Sequence, residues 1–160
     1  MRREGSPPGE ASDFYVLGAG DWVNVVALTP EDDLVLVTQW RHAAGRVTLE
    51  IPGGMVDTGE TPREAAEREL LEETGFAAPE WRPLGVIDPN PAILANRCHT
   101  FLALGARQVT TPHFDSNEEC GLVLRPWAET PALVTSGVIT HALVVVALHF
   151  EHLRRENREK

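Results

Sequence analysis

A mixed α/β or α+β domain is the fold class this sequence predicts. Three observations point to it. Short apolar runs are separated by turn residues, one central helix carries signals at both of its ends, and a second long helical run follows residue 140.

Residues 1–12 are rich in Pro, Gly and charge and are expected to form a disordered tail, with 13–160 as one folded domain. "DWVNVVALT" and "DLVLVTQW" read as strands divided by the turn cluster "PEDD", which suggests a hairpin. "RVTLEIP" is a third strand, ending at Pro52, Gly53 and Gly54. Thr61 and Glu64 form a T-x-x-E capping box, and Pro62 takes the first helical position. A helix is therefore expected from 62 to 74, with Gly75 just past its end. "WRPLGVI" and "HTFLALGARQV" read as strands around the proline-rich loop "DPNPAILANR", and "CGLVLRP" as another. "AETPALVTSG" suggests a short helix with its proline in the first turn. "THALVVVALHFEHLRRENREK" suggests a final helix, apolar early and charged late. No internal repeat and no linker to a second domain are evident.

Hydrophobic residues make up 42% and charged residues 24%, which suits a soluble globular protein. The net charge of −10, from 24 acidic and 14 basic side chains, argues against a partner that is duplex nucleic acid or a membrane surface. A small nucleotide remains open, because a divalent metal can join a phosphate to an acidic site. Cys98 and Cys120 lack the spacing of a zinc site or a disulfide framework, so reduced thiols in a cytoplasmic location are expected. "MRREGSPPGE" is not followed by an apolar segment, so no secretory signal is expected. The longest apolar run, "ALVVVALHF", falls well short of the roughly 20 residues that span a bilayer.

The chemistry concentrates in "RELLEETGF", residues 68–76. Glu69, Glu72 and Glu73 share one helix face, at spacings of three and four. They crowd the C-terminal turns, where the helix dipole disfavours carboxylates, and Glu69 and Glu73 repel each other. Arg68 is adjacent in sequence but leaves the backbone about 100° away, so the three charges read as uncompensated on their own face. A solvated acidic surface accounts for exposure but not for placement at the disfavoured end. A hard cation, Mg²⁺ or Mn²⁺, accounts for both.

Gly54, Glu60, Arg68, Glu69, Leu70, Glu72, Glu73, Gly75 and Phe76 stand in the pattern G-x5-E-x7-R-E-U-x-E-E-x-G-U, where U is a bulky apolar residue. This pattern resembles the Nudix box at every defining position. The resemblance implies a Nudix fold, a mixed β-sheet sandwiched between α-helices, and metal-dependent hydrolysis of a nucleoside diphosphate linked to another moiety. It implies metal contacts from Glu69 and Glu73, from Glu72 directly or through water, and from the Gly53 carbonyl. Arg68 would orient the glutamates, while Glu60 would support the loop and helix geometry or a second metal.

"TQWRH" and "LEIPGG" resemble segments of the ADP-ribose and nucleoside-diphosphate-sugar pyrophosphatase branch. That likeness nominates Arg41 as a diphosphate contact and Glu50 and Gly54 as further substrate contacts. Pro91, 15 residues after Phe76, matches a proline of the branch, with Pro89 as a competitor. In "FDSNEECGLVL" the branch places a glutamate as general base; Glu118 is preferred, with Glu119 and Asp115 as alternatives. "DPNPAILANRCH" departs from the usual loop, and Asn90, Asn96 and Arg97 can reshape the sugar end. ADP-ribose is thus the expected substrate, converted to AMP and ribose 5-phosphate. GDP-mannose or another sugar nucleotide, a dinucleoside polyphosphate or damaged nucleotide, and a silent sugar-nucleotide sensor are the alternatives. Trp22 and Trp40 can stack on a base or pack in a core. His149 and His152 read as surface residues. A homodimer is the assembly that the resemblance implies.

Overall fold

The computed structural model describes residues 15–112 and 121–158. Its strands are β1 (Trp22–Leu28), β2 (Asp33–Arg41), β3 (Arg46–Glu50), β4 (Gly53–Met55), β5 (Phe76–Ala77), β6 (Glu80–Ile87), β7 (Cys98–Leu104), β8 (Arg107–Gln108) and β9 (Gly121–Pro126). Its helices are α1 (Pro62–Thr74), α2 (Thr130–Thr135) and α3 (Ala142–Glu156), with a 3₁₀ turn at Trp127–Glu129 before α2. Helix α1 has the limits its sequence signals gave. Thr61 is extended and accepts from the Glu64 amide, the Glu64 carboxylate accepts from the Thr61 amide, and Gly75 closes the helix in the left-handed region at φ 73°.

The main sheet runs β3-β2-β1-β7-β6, with β4 on β1 and β9 on β2. The β1–β7 pair is parallel and every other pair in the sheet is antiparallel. Side chains alternate between its faces. Val23, Val25 and Val35 pack with Ala65, Ala66 and Leu70 of α1 on one face. Val26, Leu28, Leu34 and Leu36 pack with Val144, Ala147 and Leu148 of α3 on the other. The sheet is therefore sandwiched between helices, and burying each large apolar side chain contributes about 1.5–3 kcal/mol.

Two strand expectations need correction. "HTFLALGARQV" is not one strand: Gly105, at φ 68°, turns the chain between β7 and β8. Gly53 and Gly54 do not simply end a strand, because they form β4 against Val23 and Asn24. His152 also differs from a plain surface residue. It is half-buried against the Trp127 ring, 4.7 Å between centroids, and 3.1 Å from Thr130 Oγ1. His149 is exposed.

One relationship among the strands opens the site. β1 and β2 are in register only at Leu28 and Leu34, beside their hairpin. Beyond that point they part, and the gap is taken by the Pro52 carbonyl, which accepts from Val25 N–H at 2.8 Å, and by β4. At the far end, Arg155 of α3 grips the Asp32 carboxylate of the hairpin turn at 2.6 and 2.9 Å. Arg155 also bonds the fully buried Glu151 and lies over the Trp127 ring.

Candidate active site

The parted ends of β1 and β2 form a pocket of roughly 530 Å³. Trp22 and Asn24 of β1, Arg41 of β2, Glu50 of β3, Gly53 to Met55 of β4, and His141 and Leu143 at the start of α3 line it. Glu50 is 3% exposed and accepts from Arg41 at 2.8 and 2.7 Å and from Thr48 Oγ1 at 2.6 Å. Burial opposes its ionisation. The hydrogen bonds from Arg41 and Thr48 and the neighbouring charges of Arg41 and His141 outweigh that and hold its carboxyl below the ordinary range.

The box glutamates meet the pocket at the glycine pair. Glu73 is buried, and its Oε2 accepts from the Gly53 amide at 3.0 Å. The Glu69 carboxylate lies against Gly54 so closely that a Cβ there would fall 2.2 Å from Oε1. Gly54 thus admits close approach of a side chain to backbone and is not there for a left-handed turn. β4 is shared: its backbone lines the pocket and also touches both carboxylates.

Arg68 overturns the expectation of three uncompensated charges. Its guanidinium reaches Glu60 at 3.0 Å twice, Glu69 at 2.8 Å, Glu72 at 3.1 Å and the Met55 carbonyl at 3.0 Å. The direction of its Cβ had pointed elsewhere, but a long side chain bends back over its own turn. The bonds to Glu60 chiefly raise the Arg68 pKa, with burial opposing, and Arg68 in turn holds Glu60 below its ordinary value. Glu60 also accepts from the Asp57 amide at 3.1 Å, so it pins the loop before α1.

Among the described residues, no three His, Cys, Asp or Glu side chains stand in ligating geometry. Glu69 and Glu72 turn instead toward Arg68. The donor chemistry nonetheless fits a hard divalent cation. Glu69, Glu72, Glu73 and the Gly53 carbonyl offer only oxygen, Glu60, Glu69 and Glu72 share one guanidinium, and Gly54 keeps room for a carboxylate at the strand.

The other nominated residues divide. Arg41, Glu50 and Gly54 line the pocket. Gly75 stands under the Thr110 carbonyl, where a Cβ would clash at 2.1 Å. Pro91 and Arg97 are exposed and outside the pocket lining. The Arg97 amide donates to Asp21 Oδ1 at 2.8 Å, and Asp21 pairs with His99 at 3.0 Å. Trp22 lines the pocket, whereas Trp40 is exposed beside His42. Asp115, Glu118 and Glu119 lie outside the described residues. Sequence reasoning missed His141 and Asn24. The signal for His141 was available: it occupies the cap of α3, where Ser, Thr, Asp or Asn is usual.

The NUDIX domain pattern matches residues 20–142. The chain belongs to the Nudix family. An ADP-ribose pyrophosphatase of Mycobacterium tuberculosis is 32% identical over 133 residues, covering 81% of this chain and 64% of that protein. An ADP-ribose pyrophosphatase of Bacillus subtilis is 35% identical over 97 residues, covering 61% of this chain and 52% of that protein. This Nudix chain therefore spans less than two thirds of either relative. A methanol dehydrogenase activator of Bacillus methanolicus is 27% identical, covering 96% of this chain and 84% of that protein. A crystal structure of an ADP compounds hydrolase superposes with a TM-score of 0.78 at 25% identity, covering 86% of this chain and 74% of that one. The Nudix fold and the likeness to the ADP-ribose pyrophosphatase branch agree with the sandwiched sheet.

Proposed function

We propose that this Nudix protein hydrolyses the diphosphate linkage of ADP-ribose, giving AMP and ribose 5-phosphate. The observation that carries the reading is the contact of Glu73 and Glu69 with Gly53 and Gly54, the same backbone that lines the Arg41 pocket. Carboxylates and the pocket that Arg41 lines share one strand.

Arg41 holds the diphosphate, oriented by Glu50. Glu69, Glu72, Glu73 and the Gly53 carbonyl hold Mg²⁺ or Mn²⁺, which when bound neutralises phosphate oxygens and acidifies water. Arg68 orients the glutamates. Glu118, or else Glu119 or Asp115, accepts the proton of the attacking water. Pro91 supplies a further substrate contact, and Asn90, Asn96 and Arg97 shape the sugar end. The folded domain covers 13–160 and assembles as a homodimer, which light scattering tests. Among the described residues no helix is long and apolar enough to cross a membrane.

A substrate panel tests the reading: ADP-ribose, GDP-mannose, diadenosine polyphosphates and oxidised nucleoside triphosphates, each with Mg²⁺, Mn²⁺ or chelator. ADP-ribose turnover that needs metal supports it. Turnover confined to another member of the panel, or tight binding with no turnover, sinks it. A second reading is favoured by the 27% identical relative that covers 96% of the chain: activation of a partner dehydrogenase. A dehydrogenase rate unchanged by added protein would eliminate that role.

A further inference from the structure

Among the described residues, the pocket lining contains three ionisable side chains, Arg41, Glu50 and His141. Arg41 and Glu50 form a two-bond ion pair, so by themselves they present no net charge to a ligand. His141 Nδ1 stands 3.3 Å from Glu50 Oε2 and makes no hydrogen bond. His141 holds the cap position of α3, yet its side chain makes no capping bond. A residue suited to capping has been forgone there, and the ring lies in the pocket wall instead.

We propose that His141 is a second phosphate-binding residue of this pocket, acting as an imidazolium beside Arg41. Two cations against one anion then leave one positive charge on the wall. A nucleoside diphosphate supplies the complementary charge. The ligand class, and only that, rests on the function proposed above.

Among the described residues, the charged groups near His141 are Glu50 of β3, Arg41 of β2 in the same lining, and Arg46, which bonds the adjacent Thr140 Oγ1 at 2.8 Å. β1 contributes Trp22, Val23 and Asn24 to this wall.

Calorimetric titration of the full chain with ADP and with adenosine tests this, using wild type, His141→Gln and His141→Lys. The expected result is a roughly tenfold weaker Kd for ADP in His141→Gln, the scale of one lost charge-assisted bond. His141→Lys should recover to within about threefold, as expected for restored charge without the ring's geometry. Adenosine binding should not change. ADP affinity that is equal in His141→Gln and wild type, or no ADP binding by wild type, overturns the proposal. So does equal weakening of ADP and adenosine in both variants with lowered melting temperatures, which marks a structural role. ADP-ribose turnover by wild type is measured in parallel. Its absence beside His141-dependent ADP binding sinks the proposed reaction and leaves this site standing.

Discussion

The Gly53 amide donates to Glu73 Oε2 at 3.0 Å across twenty residues of sequence. That bond fixes the end of α1 to the strand that lines the pocket. It also spends one oxygen of Glu73 on backbone, so the orientation of the other follows from the fold. Glu73→Gln should keep the fold and lose ADP-ribose turnover by at least about 100-fold, since even residues behind a metal ligand cost 10- to 100-fold. Circular dichroism with a turnover assay checks both halves; near-normal turnover would remove Glu73 from the proposed metal site.

The two neighbouring glycines should fail in different ways. At Gly54 an added Cβ meets the end of the Glu69 side chain, which can swing aside. At Gly53 it meets the Val23 carbonyl at 2.2 Å, which is backbone inside the sheet. Gly53→Ala should destabilise by about 1–3 kcal/mol or more, as overpacking does, whereas Gly54→Ala should mainly cut turnover. Denaturant unfolding separates the two, and a Gly54→Ala variant less stable than Gly53→Ala would contradict the geometry.

Removing Arg41 should act on stability as well as on substrate. Arg41→Gln leaves Glu50 buried with its main partner gone, at a cost of about 3 kcal/mol, the low end of the range because Arg41 itself is half-exposed. The pH dependence has a definite sign. The Glu50 pKa is lowered on folding from its ordinary 4.5, so its contribution is present above that value and is lost as pH falls through the lower folded value. In Arg41→Gln burial is less opposed, and the acid limb of a stability-versus-pH curve should move to higher pH. An unmoved limb would mean that Thr48 and His141 suffice.

Glu151 offers a contrast far from the pocket. It is wholly buried and serves both Arg154 and Arg155. Glu151→Gln should cost about 3 kcal/mol in urea unfolding, the low end of the range because Arg154 and Arg155 are partly exposed and Arg155 keeps Asp32. KM for ADP-ribose in the variant that remains folded should match wild type.

Helix α1 was legible in detail because its start and stop depend on nearest neighbours. Thr61, Pro62, Glu64 and Gly75 act within one turn of where they stand. The glutamate cluster was legible for the same reason, as a charge placed against the dipole. Arg68 was misread because Cβ direction does not limit a guanidinium that has several rotatable bonds. β4 was missed because two of its three residues are glycine, which carry no alternation to read. The pocket could not be seen at all: it depends on β1 and β2 parting after Leu28 and Leu34, a tertiary event. His141 reaches Glu50 only through the docking of α3, more than ninety residues later in sequence.

The parallel pairing of β1 with β7 and the cover from α3 have a consequence for biosynthesis. Val26 and Leu28 are made early, but Val144, Ala147 and Leu148, which bury them, emerge more than a hundred residues later. Until then, one apolar face of the nascent sheet stays open on the ribosome, a state prone to association. The same late segment brings His141 to the pocket wall. Translation therefore completes the pocket only when it closes the core, and a nascent chain that stalls before residue 141 holds helix α1 without a finished pocket beside it.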